Sequence, residues 1–99
     1  MQIEYEDDDL RRLAEDAAFV PRQWSRDLVR SYRKAIQLLA SAQDERDLRQ
    51  WRGLRLKELS GNRAGTSSIR LNDQYRLILR FRTEAEGRVV IVIELVDYH

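Results

Sequence analysis

The run Val89-Val-Ile-Val-Ile-Glu-Leu-Val96, entered through Arg88, constrains this chain more than any other stretch. A strand with one wet face alternates apolar and polar residues, whereas a strand apolar at successive positions is buried on both faces. It is therefore buried on both faces or central in its sheet. Candidate neighbours lie just upstream, where the apolar period is two. Leu54, Leu56 and Leu59 predict one strand over 54–59. Thr66 to Leu71 and Tyr75 to Thr83 predict two more, joined through Asn72-Asp73 as a hairpin. Glu84 to Gly87 reads as the following turn, and Gly61 and Gly65 bracket a flexible connection around Arg63.

The first half has the helical period instead. After a short alternating strand, Gln2-Ile3-Glu4-Tyr5, the acids Asp7, Asp8 and Asp9 suit the start of a helix, whose positive dipole end favours carboxylates. Leu10, Leu13, Ala14 and Ala17 place that helix over 8–18. Val20-Pro21 interrupts it, because the residue before a proline avoids helical backbone, and Pro21 fits an early position of a second helix. Trp24, Leu28, Ser31, Tyr32, Ala35, Leu38 and Leu39 form one stripe of that helix, with Arg22, Arg26, Arg30, Arg33 and Lys34 largely outside it. Trp24 and Trp51 read as packing residues. A further helical turn is expected around 44–48. The order strand, helix, helix, four strands predicts an α+β fold, a helix pair covering one face of a meander, in a single domain over residues 1–99.

Composition narrows the chemistry. The chain has no cysteine and one histidine, which excludes disulfides and thiolate metal sites and disfavours structural zinc. No stretch approaches the roughly 18 consecutive apolar residues of a membrane span, and the acidic N-terminus is unlike a secretory signal, so a cytoplasmic protein is expected. The net charge of +1 conceals segregation. Residues 1–16 carry seven acids against two arginines, while residues 51–82 carry eight bases against Glu58 and Asp73. A central basic segment points toward nucleic acid. Sixteen of the eighteen bases are arginine, whose planar fork suits phosphate. Arg76, Arg80 and Arg82 alternate along one predicted strand and share a face, which Arg70 can join; cross-strand acids such as Glu94 are expected to pair with some of them. The Glu4 to Asp9 cluster is expected to lie away from any RNA.

The segments Gly53-Leu-Arg-Leu, Leu59-Ser-Gly-Asn-Arg-Ala-Gly and Ser68-Ile-Arg-Leu-Asn-Asp-Gln-Tyr-Arg-Leu, closing on Val96-Asp-Tyr-His99, resemble the HigB-type toxins of the RelE/ParE superfamily over essentially the whole chain. The resemblance implies the RelE-like fold, with an N-terminal short strand and a two-helix hairpin packed on a mainly antiparallel sheet of about four to five strands. It implies a toxin of a type II toxin–antitoxin pair that binds the ribosomal A site of the 30S subunit and cleaves mRNA by attack of a ribose 2′-OH on the adjacent phosphate, with no metal or other cofactor. It implies a helix-turn-helix antitoxin of the HigA type as partner, and contact with operator DNA only through that antitoxin.

Carried over by position, Asp97, Tyr98 and His99 match the family's terminal catalytic cluster, and Arg76 its phosphate-binding arginine. Gln74 matches a polar residue near the substrate and Arg63 the loop arginine; Arg70 and Arg80 join the RNA-binding face. Where the family pattern reads Leu-His-Pro-Leu-Lys-Gly, this chain has Leu56-Lys57-Glu58-Leu59-Ser60-Gly61. Lys57 thus replaces a histidine, supplying charge but making a poor general base near neutral pH. His99 is expected to carry a raised pKa beside its own α-carboxylate and to act as acid or electrostatic stabiliser. Tyr98 is expected to stack on a base or to close the sheet edge, and Asp97 to hold His99 or an arginine in place. Two further functions are open on the same fold: inhibition of DNA gyrase in the manner of ParE, and co-repression with the antitoxin by a catalytically weak toxin.

Overall fold

The structure is a computed structural model and describes residues 1–98. Its elements are β1 (Gln2–Tyr5), α1 (Asp8–Glu15), α2 (Arg26–Ser41), α3 (Glu45–Gln50), β2 (Lys57–Glu58), β3 (Ser67–Arg70), β4 (Tyr75–Glu84) and β5 (Gly87–Asp97). The five strands form one mixed sheet in the order β1-β5-β4-β3-β2. β5 lies between β1 and β4, so the unbroken apolar run is central in the sheet. β1 pairs with it in parallel and the other pairings are antiparallel, which agrees with the expected RelE-like α+β architecture.

One face of the sheet is the floor of the core. Ile69, Leu77, Leu79, Val90 and Val92 meet Leu10 and Leu13 of α1, and Leu28, Val29, Tyr32, Ala35 and Leu39 of α2. Complete burial of a Leu, Ile or Val side chain stabilises by roughly 1.5–3 kcal/mol, so this layer is what holds the helix pair down. The β4–β5 register skips Ile93, since Ile78 faces Glu94 and Leu79 faces Val92. This bulge lets Leu95 rejoin the core side with Val92 and Val90, while Glu94 and Ile91 turn to the opposite, open face.

Three elements differ from the sequence expectation. α1 stops at Glu15 rather than 18, because Asp16 Oδ1 accepts from the Ala18 N–H at 3.0 Å and turns the chain. Arg33 of α2 then donates to the carbonyls of Leu13 (2.9 Å) and Phe19 (3.1 Å), capping the end of α1. α2 starts at Arg26, not near Pro21, because Ser25 Oγ caps the Leu28 N–H at 3.1 Å. β2 is two residues rather than six: Arg52–Leu54 is a 3₁₀ turn and Arg55 is left-handed (φ 48°), which breaks the extended backbone. No helix among the described residues is long and apolar enough to cross a membrane.

Candidate nucleic-acid interface

The open face of the sheet carries the arginines. Side chains directly opposite on paired strands share a face. The register therefore puts Lys57, Ser68, Ile78 and Glu94 in one row and Arg70, Arg76 and Val96 in the next. Lys57 stands two strand spacings from β4, roughly 10 Å. Further along, Arg80 and Arg82 share the face with Glu4 of β1 and with Glu6 beyond its end.

The β3–β4 connection organises the far end of this face. Asn72 Oδ1 accepts from the backbone N–H groups of Gln74 (2.9 Å) and Tyr75 (2.7 Å), an Asx turn that short polar side chains form readily. The strands stop at Arg70 and resume at Tyr75, so the connection spans 71–74 rather than the Asn-Asp pair alone. Gln74 grips the end of β5 in two ways. Its carbonyl accepts from the Tyr98 N–H at 2.6 Å, and its Nε2 donates to Asp97 Oδ2 at 3.0 Å.

Arg76 lies beside that grip. Its Nη1 donates to the carbonyls of Asn72 (2.8 Å) and Tyr75 (3.1 Å), and its guanidinium sits 4.7 Å from the centre of the Tyr98 ring. Two carbonyls and one aromatic face orient the side chain without neutralising it. Among the described residues Arg76 and Lys57 have no carboxylate partner. Nη2 and Nε of Arg76 donate to no other described residue. Tyr98 is 59% exposed, so one face of its ring is open.

The neighbouring arginines Arg63, Arg70, Arg80 and Arg82 hold acids. Arg63, lifted by Gly61 (φ 66°) and Gly65 (φ 88°), reaches Glu94 at 2.6 Å. Arg70 pairs with Asp73. Arg80 meets Glu6 at 3.1 Å, and Arg82 meets Glu4 at 2.6 Å and Glu84 at 2.7 Å. The carboxylates of Glu4 and Glu84 raise the Arg82 pKa further, chiefly by hydrogen bonding. The acidic N-terminus thus does not keep wholly apart from the basic face. Parallel pairing of β1 brings Glu4 and Glu6 onto it, a consequence that local sequence does not signal. Such exposed pairs are each worth at most about 1 kcal/mol, little enough for a phosphate to compete.

His99 lies outside the described residues. Trp24 packs partly against the core as expected, whereas Trp51 is 48% exposed and follows α3 at the surface, contrary to its reading as a packing residue. Among the described residues no group of three or more His, Cys, Asp or Glu side chains is placed to hold a metal ion.

Residues 3–99 match the family described as HigB-like toxin, the RelE-like toxin of type II toxin–antitoxin system HigB. Toxin HigB-1 of Vibrio cholerae serotype O1 is 40% identical over 77 residues, 78% of this chain and 70% of that protein. In fold, the chain resembles the YoeB/ParE toxin of Agrobacterium tumefaciens (TM-score 0.57, 18% identity, all of both chains). It also resembles a chain of the YoeB-YefM complex from Staphylococcus aureus (TM-score 0.57, 14% identity, all of this chain and 97% of that one).

Proposed function

This chain belongs to the HigB-like family of RelE-like toxins of type II toxin–antitoxin systems, and on that premise we propose that it is a ribosome-dependent endoribonuclease that cuts mRNA in the A site. The observation that carries this reading is Arg76, a half-buried guanidinium held by the carbonyls of Asn72 and Tyr75 and by the Tyr98 ring, with no carboxylate partner among the described residues. A site that must meet a phosphate dianion-like transition state needs a pre-oriented cation whose charge has not been spent.

In the proposed step the ribose 2′-oxygen forms a bond to the adjacent phosphorus and the P–O5′ bond breaks, leaving a cyclic phosphate and a 5′-hydroxyl. The 2′-OH proton leaves to solvent water, and His99 as imidazolium returns a proton to the departing 5′-oxygen. Arg76 and Lys57 offset the charge on the phosphorane. Tyr98 stacks on a base at the cut, and Asp97, held by Gln74, orients the terminal cluster. Arg63, Arg70 and Arg80 exchange their carboxylates for flanking phosphates. In this reading residues 1–99 act as one toxin domain in the cytoplasm. The regulating partner is an antitoxin, as the YoeB-YefM complex of similar fold supports, and in this reading it is a helix-turn-helix protein of the HigA type.

The experiment adds the purified chain to a translating bacterial extract with a defined messenger and maps 5′ ends by primer extension. Codon-phased cuts that need ribosomes, reduced at least about a hundredfold in Arg76→Ala and His99→Ala, are the expected result. Intact messenger and continued translation would overturn it and favour gyrase inhibition, which a supercoiling assay would read.

A further inference from the structure

Behind the Arg70–Arg76 end of the sheet lies a groove of about 430 Å³ between α2 and the Trp51–Leu54 segment. Small-ligand sites span about 300–1,000 Å³, so a nucleoside fits its dimensions. Ala35 and Leu38 of α2 and the buried Leu54 and Leu71 make an apolar floor. Trp51 and Arg52 form one wall, Lys34 the other, and Arg70 closes the end nearest the hairpin. Among the described residues no carboxylate lines it, and Arg70 at its end is paired with Asp73.

We propose that this groove binds single-stranded RNA next to the cleavage site, with a base stacked on Trp51 and its phosphates on Lys34, Arg52 and Arg70. Three observations converge. A tryptophan 48% exposed beside three cations is the combination used for strand tracking, an aromatic face for the base and a positive groove for the backbone. The presenting loop is held in an unfavourable shape: Arg55, a non-glycine residue, is left-handed just after the 3₁₀ turn, a conformation that sits preferentially at ligand-binding segments. The groove also reaches the edge of the candidate site, since Arg70 lines its end and is the cross-strand partner of Arg76. An acidic protein segment would satisfy the cations but would leave the open indole face without a planar partner.

The inference rests on the nuclease reading for its place beside the cut, and its test is independent of ribosomes. The full chain is titrated with a 2′-O-methyl oligoribonucleotide of about six nucleotides, which lacks the attacking hydroxyl, while tryptophan fluorescence is followed. Binding is expected to quench the emission. Trp51→Phe should keep the affinity within about threefold and lose most of the quenching, the remainder coming from Trp24. Trp51→Ala, with unchanged circular dichroism, should weaken binding by about five- to a hundredfold. Lys34→Gln should lower the slope of log affinity against log salt by about 0.7. Equal affinity in Trp51→Ala, full quenching in Trp51→Phe, or tighter binding of polyglutamate than of RNA would each overturn the proposal. If the oligonucleotide binds through Trp51 while messenger stays uncut, the groove stands and the nuclease reading falls. If Trp51→Ala cuts at the wild-type rate and the oligonucleotide does not bind, the groove alone falls.

Discussion

Arg33 and Arg76 look alike in the sequence, each a basic residue off an apolar stripe, and the structure gives them opposite employment. Arg33 spends its donors on the carbonyls that end α1, whereas Arg76 keeps donors unused among the described residues at the hairpin. Arg33→Ala is expected to destabilise by about 2 kcal/mol, the usual cost of removing a charged donor from several acceptors, read by urea unfolding. Tyr32 is the other residue whose role was hidden. Its ring is wholly buried and its hydroxyl donates to the Leu10 carbonyl at 2.7 Å. Burial pushes its pKa well up, so the phenol stays neutral when folded. The folded state then keeps a proton that the unfolded chain releases above about pH 10, and this contribution to stability is present below that pH and lost above it. Tyr32→Phe should cost about 1 kcal/mol near neutrality and soften the alkaline loss. The helical stripe made Tyr32 legible as core; its acceptor, 22 residues away, was not.

Among the elements, α3 depends most on a distant partner. Six residues are too few for a helix to stand alone, and Glu45 in its first turn is tied to Arg88 of β5 by two hydrogen bonds of 2.9 and 2.6 Å. Hydrogen bonding from Arg88 holds the Glu45 carboxyl below its ordinary range. A carboxyl with a lowered folded pKa binds fewer protons than in the unfolded chain, so its contribution is present above the ordinary glutamate pKa of about 4.3 and declines as pH falls through the lowered value. Glu45→Gln is expected to cost about 1 kcal/mol at pH 7 and to flatten the acid limb of a thermal-melting profile. Within α2 the start is set by a single hydroxyl, and Ser25→Ala should cost about 1 kcal/mol by calorimetry.

The whole molecule divides its open face by charge. At the β1 side, Glu4 and Glu6 occupy Arg82 and Arg80, while the hairpin end keeps Arg76 and Lys57 without carboxylates among the described residues. This partition makes the hairpin end the first place for a phosphate, with Arg80 reached only by displacing Glu6. Glu6→Gln, which removes the partner of Arg80, is expected to tighten binding of single-stranded RNA and to steepen the slope of log affinity against log salt by about 0.7. An unchanged slope in a filter-binding salt series would show that Arg80 stays out of the phosphate path even when released.

The alternation of periods was legible along the chain, and with it the order of elements and the arginines that share the face of β4, while β5 could be read only as buried on both faces or central. Those are local properties, because periodicity decides which side a residue takes within its own strand or helix. Boundaries at Asp16, Ser25 and Arg55 escaped it, since each turns on one side-chain cap or one left-handed residue that pattern averaging smooths over. Tertiary structure alone decided which charges meet. The parallel register of β1 on β5, the Ile93 bulge and the Gln74 grip on the end of β5 bring together residues separated by up to 78 positions. No local signal encodes such pairings, because they arise only when strands are laid side by side.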